Sequence, residues 1–347
     1  MNREHEEYRV LEGPLKLERL QPACHHEWRV PLPHTSNPVV RVHVLMGARP
    51  RPCLALIAGV HGDEYDGIFA LQDVVRCVPA NTLAGSLVVV PVANPFAFVA
   101  ATRCTPADGQ DLNRVFPGRP HGTVTERLAF LLVDYVLAVA DLVFALHGAR
   151  ATDALLPWLE FLDIPGSVGE RSYAAAQASG FVNLVGLPPL PGRLMSAMAS
   201  RDVPLIEGEI GGRGEVVAAH IAAYRTSVDR VARHLGIRDD RAKEALPEPQ
   251  VWHLREIRAP ATGVFASTVT LGDHVSQNAT LGRVLDEAGE VLATICAPCR
   301  GTIAGMRVHA GVTRGDGVFS LFTAAMHRTD RTIPAIPGRE RGEAACG

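Results

Sequence analysis

The sequence contains no dense block of lysine or arginine, and its formal net charge over 347 residues is −3. Proteins that bind nucleic acids through the phosphate backbone carry a basic patch or stripe, because affinity grows with each neutralised phosphate. We therefore expect no nucleic-acid partner and favour small molecules as partners. The length and the 47% hydrophobic content are sufficient for a globular protein with two domains.

Signals for secretion and for membrane insertion are also missing. Residues 1–8 carry charges of both signs and no apolar core, which is unlike an ordinary secretory signal. One nearly apolar stretch, at 128–146, is interrupted by Asp134 and Asp141, and such charges are costly in lipid. We expect a cytoplasmic protein with no membrane partner, in which this stretch is a buried helix with a capping-box-like start at 123–126, followed by a strand.

The seven cysteines lack the spacing of a disulfide framework, since they are odd in number and scattered along the chain. We expect reduced thiols. A single Cys-x-x-Cys, from Cys296 to Cys299, has no second pair that could complete a four-cysteine zinc site. We assign it no function.

Between about residues 53 and 240, short apolar runs alternate with amphipathic stretches, which is typical of an α/β sheet covered by helices. The predicted strands are 53–58, 87–93, 141–147, 181–185 and 203–209, and the predicted helices are 66–78, 123–139, 169–179 and 216–235. The polar stretch at 238–244, followed by Pro247 and Pro249, is typical of a linker. We place a catalytic domain at 1–245.

From Trp252 onward the sequence changes to short β runs separated by glycine. The segment 297–303 repeats the pattern of 259–265, which is similar to the barrel-sandwich lipoyl and biotinyl domains. Those domains modify a lysine in a tight turn, and the turn at 305–307 has none, so a carrier role is not expected. We place a small all-β domain at 250–325 and a disordered tail at 326–347.

The segment His61-Gly62-Asp63-Glu64 directly follows the apolar run at 53–60. It is therefore predicted to lie at the carboxyl end of a strand, where open α/β sheets form their active sites. Hydrolases hold zinc with three protein ligands, and two histidines with one glutamate are a known set. The best candidate for the third ligand is His147, which ends a second apolar run. The alternative is an ordinary polar turn, because the His-x-x-Glu spacing is frequent by chance.

Further segments follow in a fixed order, and they indicate a family. After Gly59-Val60-His61-Gly62-Asp63-Glu64 come Asn94-Pro95, Thr102-Arg103, Asp111-Leu112-Asn113-Arg114 and Glu209-Ile210-Gly211-Gly212. Over nearly its whole length, the chain resembles the succinylglutamate desuccinylase/aspartoacylase family of zinc carboxypeptidase-like hydrolases. Within that family it looks closest to deacetylases of N-acetylated diamino acids, as in ectoine breakdown. The resemblance implies an α/β fold with a mixed central sheet covered by helices, and a small all-β barrel-sandwich C-terminal domain that narrows the entrance to the site.

The resemblance implies one Zn²⁺ per chain, held by His61, Glu64 and His147. Amide hydrolysis also requires a base to take a proton from water and return it to the leaving amine. Strand alternation places Glu207 and Glu209 on the same face, so spacing alone does not choose between them. The family's motif aligns its catalytic glutamate with Glu209. The alternative is that both are solvated carboxylates at a strand end.

The resemblance also assigns the arginines of these segments. Arg103 is expected to stabilise the oxyanion, a contribution of about 3 kcal/mol for one well-placed donor. Asn113 and Arg114 match the substrate-binding pair of the family, and the planar fork of arginine suits a carboxylate. The implied partner is a small-molecule N-acyl amino acid, and a homo-oligomer is the expected assembly. Arg119 and Arg150 are interpreted as surface arginines.

The sequence departs from the family pattern at several positions. Family members commonly carry an acidic residue two positions before the third zinc ligand, where this chain has Ala145, and often a serine or asparagine after that ligand, where it has Gly148. A missing acidic partner can cost 10- to 100-fold in metal affinity or activity, so metal binding is expected to be weaker or oriented by another group. Asp111 is interpreted as bracing its loop. Aspartoacylases place a C-terminal tyrosine in the site, and this chain has none beyond Tyr224, so a different substrate is expected.

Three hypotheses follow for the function. The leading one is a zinc-dependent amidohydrolase, a deacylase that removes a small acyl group from an N-acyl amino acid or a related compound. Ala145 and Gly148 motivate a second, a catalytically silent relative that binds a metabolite without turnover. The third is a zinc carboxypeptidase acting on peptides, which would need a more open cleft.

Overall fold

The computed structural model describes residues 9–31, 39–238 and 246–324. The predicted linker, apart from Arg238, and the predicted tail at 326–347 lie outside the described residues. The largest element is a 13-stranded mixed sheet, to which the first nine strands of the chain belong. These strands are β1 (Arg9–Val10), β2 (Cys24–Pro31), β3 (Val39–Met46), β4 (Cys53–Ala58), β5 (Ser86–Val90), β6 (Leu142–His147), β7 (Asp153–Leu162), β8 (Asn183–Leu187) and β9 (Leu205–Gly212).

Four parallel strands form the centre of this sheet, in the order β5, β4, β6 and β9. Every residue of β4, β5 and β6 is buried, because parallel strands are covered on both faces and therefore consist of continuous apolar runs. Alternate side chains of β4 enter opposite cores, so that Leu54 and Leu56 face one side and Ala55 and Ile57 face the other. This continuity explains why the apolar runs located these strands.

Six α-helices are present in the described part of the chain. They are α1 (Asp66–Cys77), α2 (Pro95–Ala100), α3 (Val124–Phe130), α4 (Ser167–Ala178), α5 (Leu194–Ala199) and α6 (Ala218–His234). On one face of the sheet, Leu71 of α1 and Val231 of α6 share a core with the strands. On the other face, Leu128 of α3 and Met198 of α5 do the same. The chain therefore has the predicted mixed α/β fold, with helices on both faces.

The apolar stretch at 128–146 is a buried helical segment followed by a strand, as predicted. Thr123 and Glu126 form a capping box at the start of α3. Beyond α3 the helix continues as a π-helical segment over Leu131–Val136 and a 3₁₀ turn over Leu137–Val139, and then β6 begins. Within residues 9–31, 39–238 and 246–324, no helix has both the length and the hydropathy needed to cross a bilayer.

The ten-residue strand β7 was not predicted from the sequence. It pairs antiparallel with β9 and parallel with β8. Its pairing with β9 shifts register between Leu155 and Trp158, and Pro157 lies within that interval. A bulge of this kind breaks the alternation by which strands are found in a sequence, and proline weakens the prediction further.

The C-terminal strands continue the large sheet and add a second one. They are β10 (Gln250–Arg258), β11 (Gly263–Ser267), β12 (His274–Val275), β13 (Thr280–Leu285), β14 (Val291–Cys296), β15 (Gly301–Arg307), β16 (Gly311–Val312) and β17 (Gly317–Ala324). Strand β10 pairs with β8 and β17, β17 pairs with β15, and β15 returns to β7, which closes a barrel. Strands β14, β13, β11 and β16 form the second sheet. The C-terminal part is thus all-β, as predicted, but its first strand is hydrogen-bonded directly to the catalytic sheet.

The register of the central strands brings the predicted site segments together. Ala58 at the end of β4 lies beside Leu146 of β6, and His147 at the end of β6 lies beside Glu209 of β9. Because these strands are parallel, their carboxyl ends meet at one edge of the sheet. The turn after β4 therefore lies next to the ends of β6 and β9.

Gly62 lets the turn after β4 pack directly on α2. A Cβ atom at residue 62 would lie 2.0 Å from the backbone carbonyl of Ala97, and the amide of Gly62 donates to the carbonyl of Thr102 at 2.9 Å. We predict that Gly62→Ala lowers the free energy of unfolding by about 2 to 3 kcal/mol, because two backbones would have to separate. Urea denaturation measures this loss. Gly13→Ala is the control, since nothing lies within 4 Å of a Cβ there, and its effect should stay within about 1 kcal/mol. Equal stability of the two variants would contradict the packing.

Candidate functional site

His61, Glu64 and His147 lie together at the carboxyl edge of the central strands. Their nitrogen and oxygen atoms that could bind a metal lie within 4.8 Å of one another, and all three residues are buried. His61 and Glu64 belong to the turn after β4, whereas His147, 83 positions after Glu64, ends β6. The structure therefore brings together the three residues that the sequence predicted as metal ligands.

The carboxylate of Glu64 is at the centre of this group. Its Oε1 atom lies 2.7 Å from Nδ1 of His61, and its Oε2 atom lies 3.0 Å from Nδ1 of His147. The amide of Gly148 donates to Oε2 at 3.1 Å, and the guanidinium of Arg103 donates to Oε1 at 3.2 Å. Burial would raise the pKa of Glu64, but the charges and hydrogen bonds of the two histidines lower this pKa well below its usual value.

The carboxylate of Glu64 raises the pKa of both histidines. Burial would lower the pKa of His61, but the charge of Glu64 and hydrogen bonds to Asp111 and Glu64 raise that pKa above its ordinary value. For His147, burial is again outweighed, first by Glu64, and the pKa is also raised. Two imidazoles and one carboxylate, buried and convergent, are the donor set of a catalytic zinc site. The residues present therefore fit a zinc ion.

Asp111 fixes the orientation of the His61 ring. Its Oδ1 atom lies 3.0 Å from Nε2 of His61 and accepts the amide of Asn113 at 2.8 Å, while its Oδ2 atom accepts Nε of Arg103 at 2.9 Å. Histidines that bind metals commonly donate their second ring N–H to a carboxylate, which sets the tautomer and the ring plane. Asp111 therefore contacts the site as well as bracing its loop. This contact was not predicted from the sequence, although the Asp-Leu-Asn-Arg segment was the signal that could have pointed to it.

The second ring nitrogen of His147 has a different environment. Its Nε2 atom is buried and has no hydrogen-bond partner among the described residues. The backbone is held firmly, because the fully buried Tyr224 of α6 donates its hydroxyl to the carbonyl of His147. The ring of His147 is thus oriented from the Nδ1 side only.

Burial distinguishes the two candidate bases of β9. Glu207 is 1% exposed, whereas Glu209 is partly exposed. Burial raises the pKa of Glu209 well above its ordinary value; attraction to His147 opposes the shift, and repulsion by Glu160 and Glu64 adds to it. A carboxyl group with a raised pKa is suited to exchanging protons near neutral pH. Access therefore favours Glu209 over Glu207 for proton transfer, and the raised pKa of Glu209 suits it to that role.

Glu160 of β7 extends the acidic group across the next strand. It lies beside Glu207 in the register and is 6% exposed. The indole N–H of Trp158 donates to it at 3.3 Å, and Arg193 forms an ion pair with it at 3.5 Å. Burial and the negative charge of Glu207 raise the pKa of Glu160 to about 7. Glu160 was not predicted from the sequence because β7 was not predicted, and no spacing pattern pointed to Arg193.

A cleft of about 230 Å³ lies between the edge of the central sheet and the C-terminal strands. Its walls include, from the catalytic side, Arg103, Gly148, Arg150 and Trp158, and, from the C-terminal strands, Glu256, Met306, Arg307 and Ser320. The C-terminal strands therefore form one wall of the cleft. Arg150 is exposed, as interpreted from the sequence, but it faces this cleft. Arg119 instead forms an exposed ion pair with Glu126.

The predicted substrate-binding pair lies beside the metal-binding group. The side-chain carbonyl of Asn113 accepts the amide of Leu194 at 2.9 Å, so half of this side chain has a structural contact. Arg114 is exposed, and its Nη1 atom donates to the carbonyl of Asn113 at 2.8 Å. Partial burial lowers the pKa of Arg114; attraction to Asp111 opposes this, and repulsion by three further arginines adds to it. Those arginines are Arg193, Arg103 and Arg150.

The site lies within the part of the chain that matches a known protein family. The family model for the succinylglutamate desuccinylase/aspartoacylase catalytic domain matches residues 50–235. The curated N-alpha-acetyl-L-2,4-diaminobutyric acid deacetylase of Halomonas elongata is 30% identical over 278 residues, which cover 77% of this chain and 81% of that protein. All the predicted site residues, from His61 to Glu209, lie within the matched segment.

Solved structures share the fold. The product-bound ectoine utilization protein EutE (DoeB) from Ruegeria pomeroyi superimposes with a TM-score of 0.82 at 25% identity, covering 92% of this chain and 100% of that one. A succinylglutamate desuccinylase/aspartoacylase from Rhodobacter sphaeroides gives a TM-score of 0.76 at 26% identity, covering 87% and 96%. The similarity therefore extends over the catalytic and the C-terminal strands.

The raised pKa of Glu160 makes stability depend on pH. The unfolded chain ionises this carboxyl near pH 4.5, whereas the folded protein keeps the proton until about pH 7. The folded state binds more protons in this window, so its stability falls as pH rises. We predict that Glu160→Gln removes this loss, and that the variant gains about 3 kcal/mol over wild type between pH 4.5 and pH 8, at about 1.4 kcal/mol per pKa unit. Urea denaturation across this range measures the gain. A difference that stays constant with pH would contradict the assignment.

Proposed function

The chain belongs to the succinylglutamate desuccinylase/aspartoacylase family, and we propose that it is a zinc-dependent deacylase that hydrolyses the amide bond of a small N-acyl amino acid. The observation that carries the proposal is the convergence of His61, Glu64 and His147 on one point beside Glu209. The similarity to an N-alpha-acetyl-L-2,4-diaminobutyric acid deacetylase makes an N-acetylated diamino acid the first substrate to test. Cytoplasmic location and homo-oligomeric assembly belong to the same proposal.

One zinc ion per chain is proposed, held by His61, Glu64 and His147. When bound, zinc polarises a carbonyl oxygen and lowers the pKa of water to about 7. The protein's own contribution is to hold the three side chains in place before binding. Glu64 is ionised by its two histidine contacts, and Asp111 fixes the ring of His61. Preorganisation of this kind supports a metal role better than a chance cluster of polar groups.

Glu209 is the proposed base. It stands beside His147 in the register, and its side chain is partly exposed at the edge of the sheet. Its raised pKa allows it to take a proton from the attacking water and to return it to the leaving amine. Glu207, which is 1% exposed, has no comparable access to substrate.

Arg103 is proposed to stabilise the oxyanion of the tetrahedral intermediate. Its guanidinium contacts both Glu64 and Asp111, and the residue lines the cleft. Two carboxylates therefore hold the charge in place before substrate arrives, so that no reorganisation is needed as the oxyanion forms. A donor of this kind contributes about 3 kcal/mol to transition-state stabilisation.

The free carboxylate of the substrate is assigned to Arg114 and the arginines that act on it electrostatically. Arg114 repels Arg103, Arg150 and Arg193, and an anionic substrate would relieve this repulsion. Arginine can grip a carboxylate with two parallel hydrogen bonds. The side-chain carbonyl of Asn113 already accepts the backbone N–H of Leu194. The side-chain N–H groups of Asn113 are therefore the ones that contact substrate.

The two alternatives make different use of the same site. A catalytically silent relative was motivated by Ala145 and Gly148. A Cβ atom at residue 148 would lie 2.8 Å from the carbonyl oxygen of Ile210, so glycine at this position follows from local packing and does not by itself favour a silent protein.

The cleft of about 230 Å³ is smaller than most drug-sized pockets, which favours a small acylated amino acid over an extended peptide.

We predict that zinc-loaded protein releases acetate from N-alpha-acetyl-L-2,4-diaminobutyrate, and that Glu209→Gln lowers kcat by about 10²- to 10⁴-fold. The variant keeps the shape of the side chain but does not accept a proton. Release of the free amine measures turnover. Zinc content, measured on the same samples, should be unchanged by the substitution, because Glu209 is not among the proposed ligands.

The assay includes N-acetyl, N-succinyl and N-formyl amino acids and a set of dipeptides. If zinc-loaded protein hydrolyses no N-acyl amino acid, the deacylase proposal is wrong and a silent binder is favoured. A clear preference for dipeptides would instead support a carboxypeptidase. A protein that binds no zinc would overturn the metal assignment.

We predict that Arg114→Ala raises KM for N-acyl amino acids by about 10- to 100-fold, because a hydrogen bond to a charged group contributes about 1.5 to 3 kcal/mol. The same substrates with a carboxamide in place of the carboxylate provide the test, since wild type should prefer the carboxylate and the variant should not. Arg119→Ala is the matched control, because Arg119 pairs with Glu126 on the exposed surface. Retention of the full preference for the carboxylate by Arg114→Ala would exclude Arg114 from this role.

A further inference from the structure

We infer that Glu207 of β9 is the positioning residue for His147, and that it replaces the acidic side chain that β6 lacks at Ala145. Its carboxylate accepts the Nε2 proton of His147 through one buried water. The inference rests on the proposed zinc site and concerns a residue that acts through His147 without touching substrate. The carboxylate is thus supplied by the neighbouring strand.

Two orphaned atoms motivate this assignment. Among the described residues, neither Nε2 of His147 nor Oε1 of Glu207 has a hydrogen-bond partner, and both atoms are buried. Buried polar atoms of folded proteins are nearly always paired, because leaving one unpaired costs about 1 to 3 kcal/mol. One of these atoms can donate a proton and the other can accept one. Each therefore supplies what the other lacks.

The register of β6 and β9 places the two side chains on one face. Ala145 lies beside Glu207, and His147 lies beside Glu209. Residues paired side by side, and residues two apart on one strand, project to the same face of a sheet. His147 and Glu207 are therefore diagonal neighbours, on strands about 4.8 Å apart. The charge of Glu207 contributes to the raised pKa of His147, as expected from this proximity.

The small side chain at Ala145 explains how a glutamate fits at position 207. Ala145 is fully buried between Ile57 of β4 and Glu207 of β9. Its single methyl group takes up less room on this face than a longer side chain would. Glu207, at 1% exposure, occupies the interior beside it. An ionisable group at such depth is costly unless it is paired.

The other acidic residues of this face already have contacts. Glu160, one strand further, accepts the indole N–H of Trp158 and pairs with Arg193. Glu64 contacts His147 at Nδ1, the opposite nitrogen of the ring. Glu209 is partly exposed and is the proposed base. Glu207 is the acidic residue that remains for Nε2.

The consequence for the metal site is a second oriented histidine. Asp111 holds Nε2 of His61 from one side, and Glu207, through the bridging water, holds Nε2 of His147 from the other. An N–H···carboxylate contact sets the tautomer, so that Nδ1 carries the free electron pair, and it raises the basicity of the ligand. The absence of an acidic residue at Ala145 is thereby compensated.

We test the assignment by moving the carboxylate from one strand to the other. Glu207→Ala should weaken zinc binding by about 10- to 100-fold, the usual effect of losing such a partner. The double variant Ala145→Asp/Glu207→Ala should restore zinc affinity to within about 5-fold of wild type. Chelator competition measures affinity without substrate. Asp111→Asn provides the benchmark loss for the His61 side, and Glu160→Gln is the matched control, expected to change affinity less than about 3-fold because Glu160 has its own partners.

A direct readout is the Nε2 proton of His147 in zinc-loaded protein. Its ¹⁵N-edited proton signal should be protected from exchange in wild type, lost in Glu207→Ala and recovered in the double variant. A purely structural role for Glu207 would not produce this recovery. Should Glu207→Ala fail to fold, Glu207→Gln and the double variant carry the test. Glutamine keeps an acceptor oxygen and loses the charge, and an affinity loss smaller than 10-fold but measurable is expected.

The outcomes separate this inference from the proposed function. If wild type binds no zinc, the proposed function fails first. If wild type binds zinc, and Glu207→Ala or Glu207→Gln binds it equally well, the role assigned to Glu207 is wrong. The proposed zinc site is not affected by that result. A folded double variant without recovery of affinity or of the Nε2 signal overturns the inference in the same way.

Discussion

The buried carboxylate of Glu64, shared by two imidazoles, is the interaction on which the rest of the site depends. A carboxylate removed from water costs several kcal/mol unless charged or polar partners surround it. Its partners are His61 from its own turn, His147 and Gly148 from the end of β6, and Arg103 from the loop after α2. These segments must therefore meet within a hydrogen-bond distance. The register of β4 against β6 is what makes that meeting possible, so the fold and the site cannot change independently.

The contacts around Glu64 form a closed ring that explains the charge state of the site. His61 contacts both Glu64 and Asp111, and Arg103 contacts the same two carboxylates. Two carboxylates against one guanidinium leave the ring negative, unless the histidines bind protons or a cation enters. Glu64 raises the pKa of both histidines; Asp111 adds to the shift of His61, and the charges of Glu207 and Glu209 add to that of His147. The same ring fixes Arg103, whose orientation would otherwise be set only when substrate binds.

The sequence predicted the elements in which the pattern of apolar residues is unbroken from end to end. The strand at 53–58 agrees residue for residue, because a buried parallel strand is a continuous apolar run. His61, Glu64 and His147 were found because each follows or ends such a run. Strand β7 was missed, since its register shift breaks the alternation, and Glu160 was missed with it. The hydrogen bond that His61 donates to Asp111 depends on how a loop turns, and spacing along the sequence does not determine that turn.

Spacing along β9 alone cannot distinguish Glu207 from Glu209. Both lie on one face, so alternation treats them as equal, and only depth distinguishes them. Comparison along β6 alone likewise treats Ala145 as the loss of an acidic side chain. In a parallel sheet, however, Ala145 and Glu207 are side-by-side neighbours that point the same way. A carboxylate can therefore move from one strand to the next and still reach the same imidazole, with no change in backbone. In a site at the ends of parallel strands, each position should therefore be compared together with its neighbour on the next strand. That neighbour determines which groups the histidine can contact.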